Sequence, residues 1–145
     1  MTTFDLSRFE KEQKDTYATA LREITSGSKV THWMWFIFPQ VVGLGQSSMS
    51  RTFAIAGLEE ARAYLVDPLL GPRLAACAEA VLAVEGRSAT EIFGTTDAAK
   101  LRSCATLFAA VTPAGSVFDR VLAKCFDGRR DELTLRALRA DIPET

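Results

Sequence analysis

The chain is dominated by stretches in which apolar residues recur every three or four positions, the spacing that places them on one face of a helix. The stretch 58–66, which the Asp67-Pro68 pair ends, is the clearest example. Other stretches share this pattern, and we predict helices over 5–26, 72–84, 98–111, 116–128 and 133–139. These helices and their short connections predict a mainly α fold, a compact bundle of about six to eight short helices in a single domain over residues 1–145.

Several of these stretches begin with side chains that cap helices. The first helix is predicted to start at Asp5 or Ser7, with Asp15 as a second start. The S-A-T-E run from Ser88 matches a capping box, in which Glu91 takes the last position. Further caps are predicted at 95–97, Ser116 and Asp131.

The most unusual segment is K-V-T-H-W-M-W-F-I-F-P-Q, from Lys29 to Gln40, which holds the only His and both Trp residues. Its composition suits a strand, but the apolar run is continuous, and Pro39 disfavours helical geometry at the residue before it. Because the chain is otherwise so helical, we predict a short buried helix here. The glycine- and serine-rich run 43–50 is predicted to be a loop, and 52–55 a short extended piece.

The 17 basic and 18 acidic residues leave a net charge of −1, so the basic surface typical of a nucleic-acid-binding protein is missing. No window approaches about 18 uninterrupted apolar residues, and the polar N-terminus does not resemble a signal peptide, so we expect no membrane insertion. The three Cys residues are odd in number and widely spaced, which favours a cytoplasmic protein with free, buried thiols. They form no zinc-binding set with the single His, and we expect no bound metal and no cofactor, although a loosely held Mg²⁺ beside a phosphate ligand remains open.

The segments 29–47, 54–74 and 92–108 resemble a bacterial family, the domain of unknown function 1810. The string H-W-M-W-F-I-F-P-Q is the most specific part of the resemblance. The chain departs from the family pattern at Thr31, Phe53 and 104–105, where relatives usually have Ser, Tyr and Ser-Met. The resemblance implies a mainly helical fold and no established activity. Some relatives carry the label calpastatin, but a calpain-inhibitor repeat is a disordered polar segment, unlike this chain.

A functional site is predicted around the aromatic segment. His32 is a candidate general acid or base because imidazole titrates near neutrality, and Asp97 is the candidate acidic residue. The candidate ligand-binding residues combine cations, rings, hydroxyl groups and glycines, and they are Lys29, Trp33, Trp35, Gln40, Gly43, Gly45, Ser47, Arg51, Lys100, Ser103 and Thr106. We predict that 32–40 forms one wall, the loop 43–51 the floor, and the polar stripe of the helix 98–111 the rim.

Each candidate also has a structural role that the sequence leaves open. His32 fits a core histidine that donates to a backbone carbonyl, and both Trp residues, which cannot share one face, fit the core. The loop 43–50 fits a plain connection, because it matches neither the dinucleotide-binding nor the phosphate-loop motif. Asp97 fits a helix cap, and the polar stripe that follows it fits a solvated helix face.

Two functions follow from these candidates. Aromatic rings, hydroxyl groups and two cations suit a small planar anion such as a nucleotide or an ADP-ribose derivative, and a fold-level analogy with small helical N-glycosidase domains adds glycosidic cleavage as an option. The alternative is a protein-interaction module without catalytic activity, in which 32–40 binds a protein partner. Neither function involves nucleic acid, and self-association stays open.

Overall fold

The computed structural model describes residues 4–140, and within this range the chain forms nine helices and no strand. In chain order the helices are α1 (Ser7–Ser26), α2 (Met34–Ile37), α3 (Ser48–Thr52), α4 (Leu58–Val66), α5 (Leu70–Ala83), α6 (Ala89–Phe93), α7 (Thr95–Ala109), α8 (Val117–Phe126) and α9 (Glu132–Ala140). Six of them have at least seven residues, so the predicted mainly α fold is confirmed. Of the helices in 4–140, none has the length and apolar character needed to cross a membrane.

A shared apolar core joins these helices except α3, which buries no residue. α5 packs against α1, α4 and α8, while α7 packs against α6, α8 and α9. Aromatic rings fill the space between them, because Phe9 meets Tyr64 edge to face with centroids 5.1 Å apart, and Tyr64 lies 5.5 Å from Phe108. α5 and α7 thus lie at the centre of the packing, while the short helix α2 packs against α1.

α1 runs without a break from Ser7 to Ser26, so the predicted second start at Asp15 is wrong. Asp15 lies exposed on a helix whose buried residues are Phe9, Gln13, Ala20 and Ile24. Gln13 can be buried because its amide donates to the Phe36 carbonyl at 2.7 Å and to the Tyr64 hydroxyl at 3.1 Å. This polar residue on an apolar face ties α1 to α2 and α4.

Side chains cap three helices as predicted. The Ser88 hydroxyl accepts from the Glu91 N–H at 3.1 Å, and the Glu91 carboxylate accepts from the Ser88 N–H at 2.8 Å, which is the predicted capping box of α6. Ser116 and Asp131 cap α8 and α9. The predicted cap at 95–97 is wrong, because these residues form the first turn of α7 itself.

The segment after α1 is partly as predicted. The aromatic stretch forms the short helix α2, which confirms a buried helix rather than a strand. The run 43–50 is not all loop, because α3 begins in it, capped by the Ser47 hydroxyl, which accepts from the Ser50 N–H at 3.1 Å. The predicted extended piece is reduced to Ile55, which forms an isolated bridge with Val41. This bridge brings together the two ends of the segment that contains α3.

Candidate functional site

A pocket of about 230 Å³ lies between α7, the segment 40–50 and the start of α9. Its lining residues are Gln40, Leu44, Gly45, Ser50, Thr96, Ala99, Lys100, Ser103, Asp131 and Leu133. Four of them, Gln40, Gly45, Lys100 and Ser103, belong to the set predicted from the sequence. The α7 residues lie three, four and seven positions after Thr96, which places them on one helix face.

Lys100 brings an ammonium group to the pocket, and this group is held from two sides. Its Nζ lies 4.8 Å from the Trp35 ring centroid, a cation–π arrangement, and 3.3 Å from Oδ1 of Asp97. Oδ2 of Asp97 lies 2.9 Å from Nζ of Lys29, which is itself 4.9 Å from the Trp33 centroid. We call this series Trp33–Lys29–Asp97–Lys100–Trp35 the ion ladder. It unites five predicted site residues, of which Lys100 alone lines the pocket.

The two ion pairs of the ladder are not equivalent. The Lys29 side chain is 6% exposed, and its pair with Asp97 is the shorter one at 2.9 Å. The Lys100 side chain is 20% exposed, and its pair is longer at 3.3 Å. Asp97 therefore neutralises chiefly Lys29, because a pair shielded from water is screened less. The ladder retains one net positive charge, which Lys100 presents to the pocket.

A hydrogen-bonded network joins α7 to the start of α9. Oδ2 of Asp131 accepts from the Thr134 N–H at 2.9 Å and from the Thr134 hydroxyl at 2.6 Å. The Thr134 hydroxyl also lies 2.8 Å from the buried Ser103 hydroxyl. Thr106 accepts from the Asp131 N–H at 2.9 Å and donates to the Arg102 carbonyl at 2.8 Å. Thr106, a predicted binding residue, thus supports Asp131 from outside the pocket lining.

The close approach of Gly45 and Ser50 shapes the wall contributed by the segment 40–50. A Cβ on Gly45 would lie 2.3 Å from Oγ of Ser50 and 2.4 Å from its Cβ, so a larger residue would displace Ser50. The Ser50 hydroxyl also accepts from the Ser47 hydroxyl at 2.9 Å. Ser47, another predicted binding residue, therefore positions α3 instead of lining the pocket.

Nine of the 13 predicted site residues lie outside the pocket lining, among them His32, Gly43, Arg51 and Trp33. His32 is exposed, and within the described part of the chain its side chain makes no hydrogen bond or ion pair. Gly43 and Arg51 are also exposed and outside the lining. Trp33 is 0% exposed and belongs to the core. The binding and catalytic roles of these residues stay predictions.

Glu23 fixes the start of the aromatic segment. Its carboxylate accepts from the N–H groups of Val30 and Thr31 at 2.8 and 3.0 Å, from the Thr31 hydroxyl at 2.7 Å and from the Trp33 indole at 3.0 Å. Desolvation acts to raise the pKa of this carboxyl group, but the hydrogen bonds together outweigh it and lower the pKa from 4.5 to about 2. The indole is thereby held beside the Lys29 ammonium group.

Some pocket residues were not identified from the sequence. Thr96 and Ala99 lie four positions before Lys100 and Ser103 on α7, so helical spacing from the predicted polar stripe could have found them. Asp131 is predicted from the sequence only as a cap, although a capping carboxylate has a second oxygen that can face a ligand. The positions of Leu44, Ser50 and Leu133 depend on how the chain packs, and no local pattern indicates them.

Comparison with known proteins identifies the family of this chain and a similar solved structure. A family-level sequence match covers residues 3–138, and the family is described as Protein of unknown function (DUF1810). Among curated proteins, none matches the chain. Among solved structures, the crystal structure of the conserved hypothetical protein Rv1873 from Mycobacterium tuberculosis at 1.38 Å is similar, with a TM-score of 0.92 and 47% sequence identity. The similarity covers 94% of this chain and 97% of that one.

Proposed function

Because the chain belongs to the DUF1810 family, whose description states no activity, we propose a function from the pocket itself. The protein is a small-molecule-binding domain for a nucleotide- or ADP-ribose-like anion, and the pocket takes the phosphate-bearing sugar part of that ligand. The observation that carries the proposal is the Lys100 ammonium group, held by Trp35 and Asp97 at the wall of a pocket of about 230 Å³. The three free thiols support the cytoplasm as its compartment.

The size and lining of the pocket limit what it can hold. Pockets for drug-sized ligands usually have volumes of about 300–1,000 Å³, so this one suits a sugar phosphate better than a whole dinucleotide. Its polar lining groups include the Gln40 amide and the hydroxyls of Ser50, Thr96 and Ser103, which can bond sugar oxygens. The base of a nucleotide would then extend beyond the pocket.

Glycosidic cleavage is not included in the proposal. The two residues predicted as catalytic, His32 and Asp97, lie outside the pocket lining. Asp97 is also engaged by two ammonium groups, at 2.9 and 3.3 Å. The proposal therefore assigns no general acid or base, and the catalytic roles of His32 and Asp97 stay predictions.

The alternative function, a protein-interaction module, has less support. Most of the apolar residues that would form its hot spot are buried, namely Trp33, Met34, Phe36, Ile37, Phe38 and Pro39. Trp35 is partly exposed, but its ring is covered by the Lys100 ammonium group. A hot spot needs exposed apolar area in the free protein, and this segment offers little.

Thermal unfolding in the presence of ligands tests the proposed function. Ribose 5-phosphate, AMP, ADP-ribose and NAD are the probes, and a ligand at 100 times its Kd should stabilise the fold by about 2.7 kcal/mol, a rise in Tm of roughly 5–10 °C. Trp35 should report the same event through a change in intrinsic fluorescence. The rise should shrink as the salt concentration increases, because an exposed charge pair is screened.

Two variants separate binding in the pocket from binding elsewhere. Lys100→Gln should lose the rise in Tm, because a shorter, neutral amide replaces the ammonium group. Lys14→Gln is the matched control, since Lys14 is exposed on α1 and outside the pocket. If none of the probes shifts the Tm, or if Lys100→Gln responds as the wild type does, the proposed function is overturned.

A further inference from the structure

We infer that the pocket selects ligands with two neighbouring hydroxyl groups, as in ribose, over analogues that lack one of them. This inference rests on the proposed function, because it concerns the same pocket. It comes from the direction of the hydrogen bonds in the Asp131–Thr134–Ser103 network, which fixes two pocket groups as acceptors.

The direction of the hydrogen bond between Ser103 and Thr134 follows from the number of protons that each hydroxyl carries. A hydroxyl has one proton and can donate once. The Thr134 hydroxyl donates its proton to Oδ2 of Asp131 at 2.6 Å. The 2.8 Å contact between Thr134 and Ser103 must therefore be a bond that Ser103 donates. With its own proton committed, the Ser103 oxygen can offer a ligand only lone pairs.

Asp131 can likewise only accept hydrogen bonds from a ligand. Its Oδ2 is occupied by the N–H and the hydroxyl of Thr134, whereas Oδ1 forms no hydrogen bond within the described residues. A carboxylate oxygen that lines a pocket accepts hydrogen bonds and donates none. Ser103, Asp131 and Lys100 all line the pocket, so its wall carries two acceptors and one cation.

This arrangement defines the ligand's chemistry. The ligand needs an anionic group for Lys100 and donors for Ser103 and Asp131. Neighbouring hydroxyls supply two donors, and the pairing of a ribose hydroxyl with an acidic side chain is a common device in nucleotide sites. Hydroxyls fit better than an ammonium group, because Thr134 already offsets part of the Asp131 charge through two hydrogen bonds.

Calorimetric titration with two sugar phosphates tests the inference. Ribose 5-phosphate and 2-deoxyribose 5-phosphate differ by one hydroxyl group and carry the same phosphate. The wild type should bind the ribose compound at least 10-fold more tightly, because the deoxy compound leaves one acceptor without a donor. Equal affinities would overturn the inference while the proposed function stands. If neither compound binds and the nucleotide probes also fail, the proposed function falls as well.

Two variants tie the selectivity to the network. Asp131→Asn keeps an oxygen that can cap α9, so it should fold, but an amide replaces the free carboxylate oxygen and the affinity ratio should fall towards 1. Thr134→Val releases the Ser103 proton and should lower the same ratio. Asp15→Asn, on exposed α1 surface, is the control and should keep the wild-type ratio. An unchanged ratio in both pocket variants would contradict the assignment of selectivity to this network.

Discussion

Single carboxylates connect parts of this molecule that are distant in sequence. Glu23 joins α1 to the backbone at Val30 and Thr31 and to the Trp33 indole. Asp97 joins α7 to the segment before α2 through Lys29. Each carboxylate binds several donor groups. In the segment between α1 and α2, Glu23 therefore holds the Trp33 indole and Asp97 holds the Lys29 ammonium group. The position of Trp33 therefore depends on charged groups as well as on apolar packing.

The pH dependence of stability should reveal Glu23. Its pKa is lowered in the folded protein, so its contribution is fully present above the ordinary value of 4.5 and is lost as the pH falls towards about 2. We expect Glu23→Gln to be less stable than the wild type at pH 7, with a difference that shrinks between those two pH values. Urea unfolding across that pH range measures the difference in stability. Glu12→Gln, at an exposed position of α1, is the control. A difference that stays constant down to pH 2 would contradict the assignment.

Between elements, the corner from α4 to α5 brings two helix backbones close together. A Cβ on Gly71 would lie 2.0 Å from the Leu65 carbonyl oxygen, so the two backbones meet without a side chain between them. At the same corner the Asp67 carboxylate accepts from the N–H groups of Leu69 and Leu70 at 3.0 and 2.9 Å. The direction in which α5 leaves α4 is therefore set by a cap and by a missing side chain.

Substitution of Gly71 tests this contact. Gly71→Ala should cost about 3 kcal/mol or more of the free energy of unfolding, because the added methyl group would have to displace backbone. Gly128→Ala is the control, since nothing lies within 4 Å of its Cβ position and its φ of +75° alone should cost roughly 1–2 kcal/mol. Urea unfolding of both variants gives the comparison. Equal losses of the free energy of unfolding would mean that the corner can relax and that Gly71 is not required for the close approach of α5 to α4.

The sequence predicts elements well where the determinants are local. The capping box at Ser88 and the cap at Asp131 were found because a cap and its first turn are contiguous in sequence. α3 was missed because the run 43–50 has no apolar periodicity, and its cap at Ser47 looks like any serine in a polar loop. Helix propensity is a weak guide in so short an element.

On the scale of the whole molecule, the pocket combines residues that lie far apart in sequence. The polar stripe on α7 was predicted from spacing, and it does supply Lys100 and Ser103. Which segments cover that stripe depends on how α9 and the segment 40–50 pack on α7, and periodicity holds no information about packing partners. The sequence therefore predicts Asp131 only as a cap.

The three thiols should report whether the core opens as one unit. Cys77 and Cys104 are buried, and burial raises the pKa of Cys77 to about 12 and that of Cys104 well above its ordinary value. Cys125 is only partly buried, although burial raises its pKa too. Because the thiolate is the reactive form, iodoacetamide should modify Cys125 first and the other two only on unfolding. Mass spectrometry of labelled peptides measures the order, and modification of Cys77 well before Cys104 would show that the core opens in parts.

The bridge between Val41 and Ile55 has a consequence for how this fold can change. The Val42 N–H donates to the Ile55 carbonyl, and the Ile55 N–H donates to the Gln40 carbonyl, both at 2.8 Å. The segment between these residues thus starts and ends at one point, and near its end Phe53 packs in the core against Phe9 and Phe36. The exposed positions 46–49 can therefore change in length or sequence with little effect on the helices outside this segment, whereas Phe53 must keep its place in the core. The pocket wall between Gly45 and Ser50 is thus the part of this molecule whose shape can vary while the core stays the same.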